Sequence, residues 1–185
     1  MNNRDFDARE VEIPLKELSP LMTECLAQGQ EVLLTITGNS MSPFLRHKRD
    51  QVVLTACDPT ALEAGDVPLY RRDNGQYVLH RIVERDDGTT RSRYGCRKAL
   101  TSERESLTYT LLGDAQWEVE PNIRPDQIVA KATAFIRLGK RWECAAPAYQ
   151  RHRLAWQRLL WVRPLLVWLD RRLYWRFCRL FPKYK

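Results

Sequence analysis

From about residue 31 to 145 the chain is a succession of short apolar stretches, each stopped by a turn signal, with little helical periodicity between them. In "EVLLTIT" the residues Val32, Leu34 and Ile36 alternate onto one side, the two-residue period of a half-buried strand. "DQVVLTA" is a β-branched run that follows the charged turn "RHKRD". "GDVPLY" and "QYVLHRIVE" flank "RRDNG", whose Asn74-Gly75 pair suits the positive φ angles of a tight hairpin. The chain turns again at "DDGTT". Then "ESLTYTLLGDAQ" and "QIVAKATAFIRLGKRWE" supply two or three further strands, with a turn at Gly139-Lys140. Strands at this density, with little helix between them, indicate a β-dominated domain over 31–145.

Ahead of it, residues 1–30 form a leader in which "SPLMTECLAQGQ" predicts a short helix. Ser19 is placed to cap it, Pro20 suits its first turn, Leu21/Cys25 and Met22/Leu26 pair one turn apart, and Gly29 ends it. The opening "MNNRDFDAREVEIPLKEL" mixes charges of both signs and holds no apolar segment, so neither a secretory signal nor a membrane anchor is expected there. A chain of 185 residues suits one domain plus an appendage. Its five cysteines (Cys25, Cys57, Cys96, Cys144 and Cys178) are odd in number and never spaced C-x-x-C. That pattern argues against a disulfide framework and a zinc site, and for a reducing compartment.

Residues 146–185 form a third segment of different character. The net charge of +7 comes from here: residues 151–185 hold ten Lys/Arg against the single acid Asp170, leaving 20 basic and 22 acidic residues in the first 150. Trp161, Trp168 and Trp175 recur every seventh residue, which lines them along one helical stripe. The longest apolar run, "PLLVWL", is far short of the ~20 residues that span a bilayer. Arg158, Arg172, Arg176 and Arg179 fall on or near the tryptophan side, where arginine stems lie along apolar surface with their heads on water or phosphate. The expectation is a helical tail that lies on a membrane, binds a protein partner or packs on its own domain, and does not cross a bilayer.

Within the β region, "ITGNSMSPFLRH" sets Ser40 directly after a strand. A serine is a weak nucleophile until a neighbour takes its proton. Of the three histidines, His47 stands in the charged turn and His152 in the basic tail. His80 lies within "YVLHRIV", sharing a face with Val78 and Ile82. Partial desolvation there favours the neutral imidazole that a general base requires. Such a histidine is ordinarily a hydrogen-bonded core residue, and a serine in a turn is ordinarily just a turn residue. Pattern alone does not select catalysis.

A resemblance does. "GNSMSPFL" resembles the serine box of the signal peptidase and LexA-type repressor peptidases. "AGDVPLYRRDNGQYVLHRIVE" resembles the later stretch that brings in their general base, and "LLGDAQWEVEP" resembles the Gly-Asp box that follows. The boxes occur in the family's order between Gly38 and Glu120. The base position holds histidine, as in the endoplasmic reticulum and archaeal signal peptidases, where bacterial enzymes use lysine. The resemblance implies a coiled antiparallel β-sheet or barrel that binds an extended peptide as an added strand. It makes Ser40 the nucleophile, His80 the base and Asp114 the acid that orients it, with Glu118 and Glu120 as alternatives, and it involves no cofactor or metal. Gly38 stands where bacterial signal peptidases often carry a hydroxyl. Around the Ser40 amide, the oxyanion site is therefore left to a second backbone amide or to Asn39, with Met41 and Pro43 shaping the turn.

Lacking an anchor ahead of its serine, the chain is expected to be a cytoplasmic relative, docked at most peripherally at the inner face of the membrane, that removes a leader from a specific peptide. A self-cleaving LexA-type regulator is disfavoured, because 30 residues are too few for a helix-turn-helix and no Ala-Gly or Cys-Gly bond precedes Ser40. The remaining rival is a non-catalytic or regulatory relative whose basic aromatic tail binds anionic membrane, a protein partner or, as the less expected choice, nucleic acid.

Overall fold

The turn-broken pattern folds into two antiparallel sheets that share one histidine at their junction. The structure, a computed structural model, describes residues 15–88 and 107–158 and positions 168, 169 and 172. Cys96, Cys178, Trp161, Trp175, Arg176 and Arg179 lie outside the described residues. Helix α1, Leu15–Ala27, begins four residues before Ser19, so that Pro20 sits inside it and Ser19 is no cap. The Ser19 carbonyl accepts a hydrogen bond from Thr23 Oγ1 at 2.8 Å. Met22 and Leu26 pin this helix to the main core, each burial contributing about 1.5–3 kcal/mol.

The larger sheet contains β1 (Val32–Thr35), β2 (Gln51–Thr55), β3 (Pro68–Arg71), β4 (Tyr77–Leu79), β8 (Ile128–Arg137) and β9 (Lys140–Glu143). Its path runs β1-β2-β8-β3-β4, with β9 also paired to β8. The smaller sheet runs β5-β6-β7, from β5 (Arg81–Asp86), β6 (Thr108–Leu112) and β7 (Glu120–Ile123). Strand β7 was not foreseen. "EPNI" has neither alternation nor β-branched density, and its proline is tolerated because β7 is an edge. The hairpin turn after β8 centres on Leu138 and Gly139, both at positive φ, one residue earlier than the sequence indicates.

Curvature of the larger sheet decides where the site lies. In a flat sheet β1 and β4 would stand about 19 Å apart, four strand spacings. Instead the two edge strands line a common cleft, and the sheet is a half-barrel. Bulges in the pairing of β8 with both neighbours, at Val53/Leu54 and at Leu69/Tyr70, supply bend and twist. The first bulge changes the parity of β8, so that Ala132 and Phe135 face the same core as Val52 and Leu54. A second helix, α2 (Pro147–Arg158), follows β9 and packs Tyr149, His152 and Trp156 inward, with Phe44 and His152 stacked at 4.8 Å between ring centres. No helix among the described residues is long and apolar enough to cross a membrane.

Candidate active site

His80 is not mid-strand. It is the corner residue between β4, which ends the larger sheet at Leu79, and β5, which opens the smaller one at Arg81. Material from both sheets covers it, and it is 1% exposed. Its Nδ1 lies 3.1 Å from Glu120 Oε1 and 3.2 Å from the Tyr70 hydroxyl. With a carboxylate as the stronger acceptor, the network places the imidazole proton on Nδ1 and leaves Nε2 unprotonated, the tautomer required of a base. Burial pulls the His80 pKa below its ordinary value, although the Glu120 and Asp114 charges oppose this, so the ring is neutral at pH 7.

Glu120 is itself held. Arg72 Nε donates to its Oε2 at 2.8 Å and Arg72 Nη2 to its Oε1, while Arg72 Nη1 bonds Gln76. Burial alone would raise the Glu120 pKa, but hydrogen bonds from Arg72 and Tyr70 and the nearby positive charge keep it below the usual carboxylate range. The Tyr70 phenol is pushed up by burial and by Glu120, and stays protonated.

Asp114 has different work. Both its oxygens face Arg81, with Arg81 Nε donating to Oδ1 at 3.0 Å and Nη2 to Oδ2 at 2.9 Å, and Oδ1 also accepts from Trp156 Nε1 at 2.8 Å. The two side chains are 0% and 1% exposed, a buried fork that ties the start of β5 to the loop after β6. The carboxylate against the His80 ring is Glu120, and Glu118 is exposed on the loop before β7. Tyr70, Arg72 and Arg81 were not singled out from sequence. Arg81 did carry a signal, because a cation amid "YVLHRIV" must be exposed or find a buried anion.

Ser40 opens a tight turn after β1. The loop is closed at its base by Ile36 N–H to Asp50 O at 2.9 Å and Lys48 N–H to Ile36 O at 2.7 Å. Gly38 has φ +87° with open space where a side chain would be, so backbone conformation is what requires glycine there. Its amide donates to His47 Nδ1 at 2.9 Å, which makes His47 a brace of the loop and commits the Gly38 N–H. Met41 is buried in the core floor, and the Ser42–Pro43 peptide is cis. The Gly-Asp box reaches this turn directly, because Ala115 N–H bonds Ser40 O at 2.7 Å. A Cβ on Gly113 would lie 2.8 Å from that same oxygen. Gly113→Ala is therefore expected to destabilise the fold by about 1–3 kcal/mol in urea titration: the Gln116 side chain, 2.6 Å from that Cβ, can swing aside, but the Ser40 carbonyl is backbone and cannot.

Ser40 and His80 line one cleft of about 340 Å³, with Leu34 and Ile36 from the β1 side, Tyr77 and Leu79 from β4, and Gln116 at the rim. Neither Ser40 Oγ nor His80 Nε2 makes a hydrogen bond among the described residues. The Ser40 amide has no acceptor among the described residues, and Asn39 and Gln116 line the same cleft. Among the described residues no group of three His, Cys, Asp or Glu side chains could hold a metal ion. The chain matches no family model and no curated protein.

Proposed function

We propose that the chain is a serine endopeptidase of the signal-peptidase type, acting on an extended peptide or leader through Ser40 and His80. The observation that carries this reading is the His80 environment: a buried, neutral imidazole whose Nδ1 is fixed by an arginine-bound carboxylate, in the cleft that also holds Ser40. His80 Nε2 takes the Ser40 proton as Oγ attacks the scissile carbonyl, and returns it to the leaving amine. Glu120 stabilises the imidazolium formed between these steps. The Ser40 amide, with Asn39 or Gln116, faces the developing oxyanion. The substrate enters between β1 and β4, whose outward edges carry unpaired backbone groups. It adds itself as a strand, while the apolar floor accepts alternate side chains. The reading places this activity in the cytoplasm, with peripheral docking at the inner face of the membrane or on a protein partner left to the basic tail beyond Arg158, since residues 147–158 pack on the β domain.

Treatment with a fluorophosphonate or β-lactam acylating probe tests the chemistry. One adduct is expected, mapped by mass spectrometry to Ser40 and abolished in Ser40→Ala and His80→Ala. Its rate should rise with pH through a midpoint below the ordinary histidine value, because the burial that depresses the His80 pKa keeps the base neutral to lower pH. An unlabelled wild type, with Ser40 Oγ unpaired as in the free structure, would favour the non-catalytic relative that binds through its tail.

A further inference from the structure

Helix α2 reaches the catalytic framework at three places. Arg81 Nη1 donates to the Tyr149 hydroxyl at 3.1 Å, inside the Arg81–Asp114 pair. Trp156 Nε1 donates to Asp114 Oδ1 at 2.8 Å. Arg153 bonds Ala64 O at 2.6 Å and Asp66 Oδ1 at 3.3 Å. The segment reached by Arg153 is bonded in turn to β5, by Gly65 N–H to Ile82 O at 2.7 Å and Ile82 N–H to Asp66 O at 2.8 Å. Tyr149 and Trp156 are 3% and 7% exposed, so the contacts they make with Arg81 and Asp114 are dry, with water excluded from competition, while the Arg153 contact is half-buried.

The partners of α2 are the two ends of the candidate site. Arg81 follows His80 in the chain, and Asp114 precedes Ala115, whose amide holds the Ser40 carbonyl. A shift of the Arg81–Asp114 pair moves base and nucleophile relative to each other, since one end of the pair carries each. We propose that α2 belongs to the active-site scaffold, with Tyr149 and Trp156 as positioning residues that set the placement of His80 against Ser40 through the Arg81–Asp114 pair. The inference extends the peptidase reading, because it assigns catalytic consequence to a helix that the three sequence boxes leave out.

Two near-isosteric variants of the full chain test it. Trp156→Phe and Tyr149→Phe keep the rings and remove only the Nε1–H and the hydroxyl, and Leu154→Ala, at an exposed position on the same helix, is the control. The His80 Cε1–H resonance is followed against pH, which needs no substrate. In Trp156→Phe and Tyr149→Phe the His80 midpoint is expected to move upward by roughly 0.5 pH. Loosening admits water to the ring, and in Trp156→Phe the Asp114 charge is also less compensated. Leu154→Ala should leave the midpoint in place. In parallel, kcat for a leader-type peptide should fall about tenfold with KM nearly unchanged, the mark of misplaced catalytic groups. An unmoved His80 midpoint in both variants overturns the proposal, whatever the protein hydrolyses. A shifted midpoint in a protein whose wild type cleaves no peptide upholds the coupling and sinks the peptidase reading alone.

Discussion

Glu120→Gln is expected to lower kcat for peptide hydrolysis by on the order of 10²–10⁴-fold, with little change in stability or in KM. The substitution is isosteric, so Arg72 keeps an oxygen partner, but the group facing His80 changes its character. An amide that gives Arg72 its oxygen turns its NH₂ towards Nδ1, which must then accept, and the ring proton moves to Nε2. That tautomer cannot take a proton from Ser40. The imidazolium formed during attack also loses its counter-charge. Because the Glu120 charge raises the His80 pKa, its removal should push the midpoint of the acid limb still lower while the plateau collapses. His80→Ala, which removes the base outright, should cost more, roughly 10⁵–10⁶-fold. A Glu120→Gln enzyme within threefold of wild type in kcat would show that Glu120 does not orient the base.

Which parts of this were legible in the sequence follows from the range of the forces involved. The strands of the larger sheet could be read because period-two alternation and glycine turns are local properties: Val32, Leu34 and Ile36 point inward as their spacing requires, and Gly75 sits at φ +83° in the β3–β4 turn. The helix start was misplaced because Ser19-Pro20 is a strong local cap signal. The core contacts of Met22 and Leu26, together with a further turn beginning at Leu15, override it. Strand β7 was illegible for the opposite reason. Nothing local favours "EPNI" as a strand, and it pairs only because β6 presents an edge to it. Placing His80 within one strand followed from counting alternation through "YVLHRIV", but alternation does not show that the chain changes sheets at that residue. Choosing between Asp114 and Glu120 was likewise a question about partners 33 and 48 positions away, Arg81 and Arg72, which spacing does not encode.

Those partners make Asp114 a test of architecture where Glu120 is a test of chemistry. Asp114→Asn should destabilise the fold by roughly 3–5 kcal/mol in urea titration, the cost of leaving a buried guanidinium without its anion. Arg81 is 1% exposed, and the other groups it reaches, Gly65 O at 3.2 Å and the Tyr149 hydroxyl at 3.1 Å, are neutral. They can satisfy hydrogen bonds but cannot replace a charge. Exchanging the arginine as well removes the stranded cation, so Arg81→Met combined with Asp114→Asn should be less destabilising than Asp114→Asn alone. A double-mutant cycle would then return a coupling of several kcal/mol. The folded fraction of Asp114→Asn should lose kcat by about ten- to thirtyfold, at least as much as Trp156→Phe, since the variant disturbs the placement of His80 and Ser40 and leaves the Nδ1–Glu120 contact in being. The converse result, a stable Asp114→Asn protein whose kcat falls a thousandfold, would transfer the orienting role to Asp114 and leave Glu120 as the structural acid. Stability and turnover therefore separate the two carboxylates in opposite directions, and each variant serves as the control for the other.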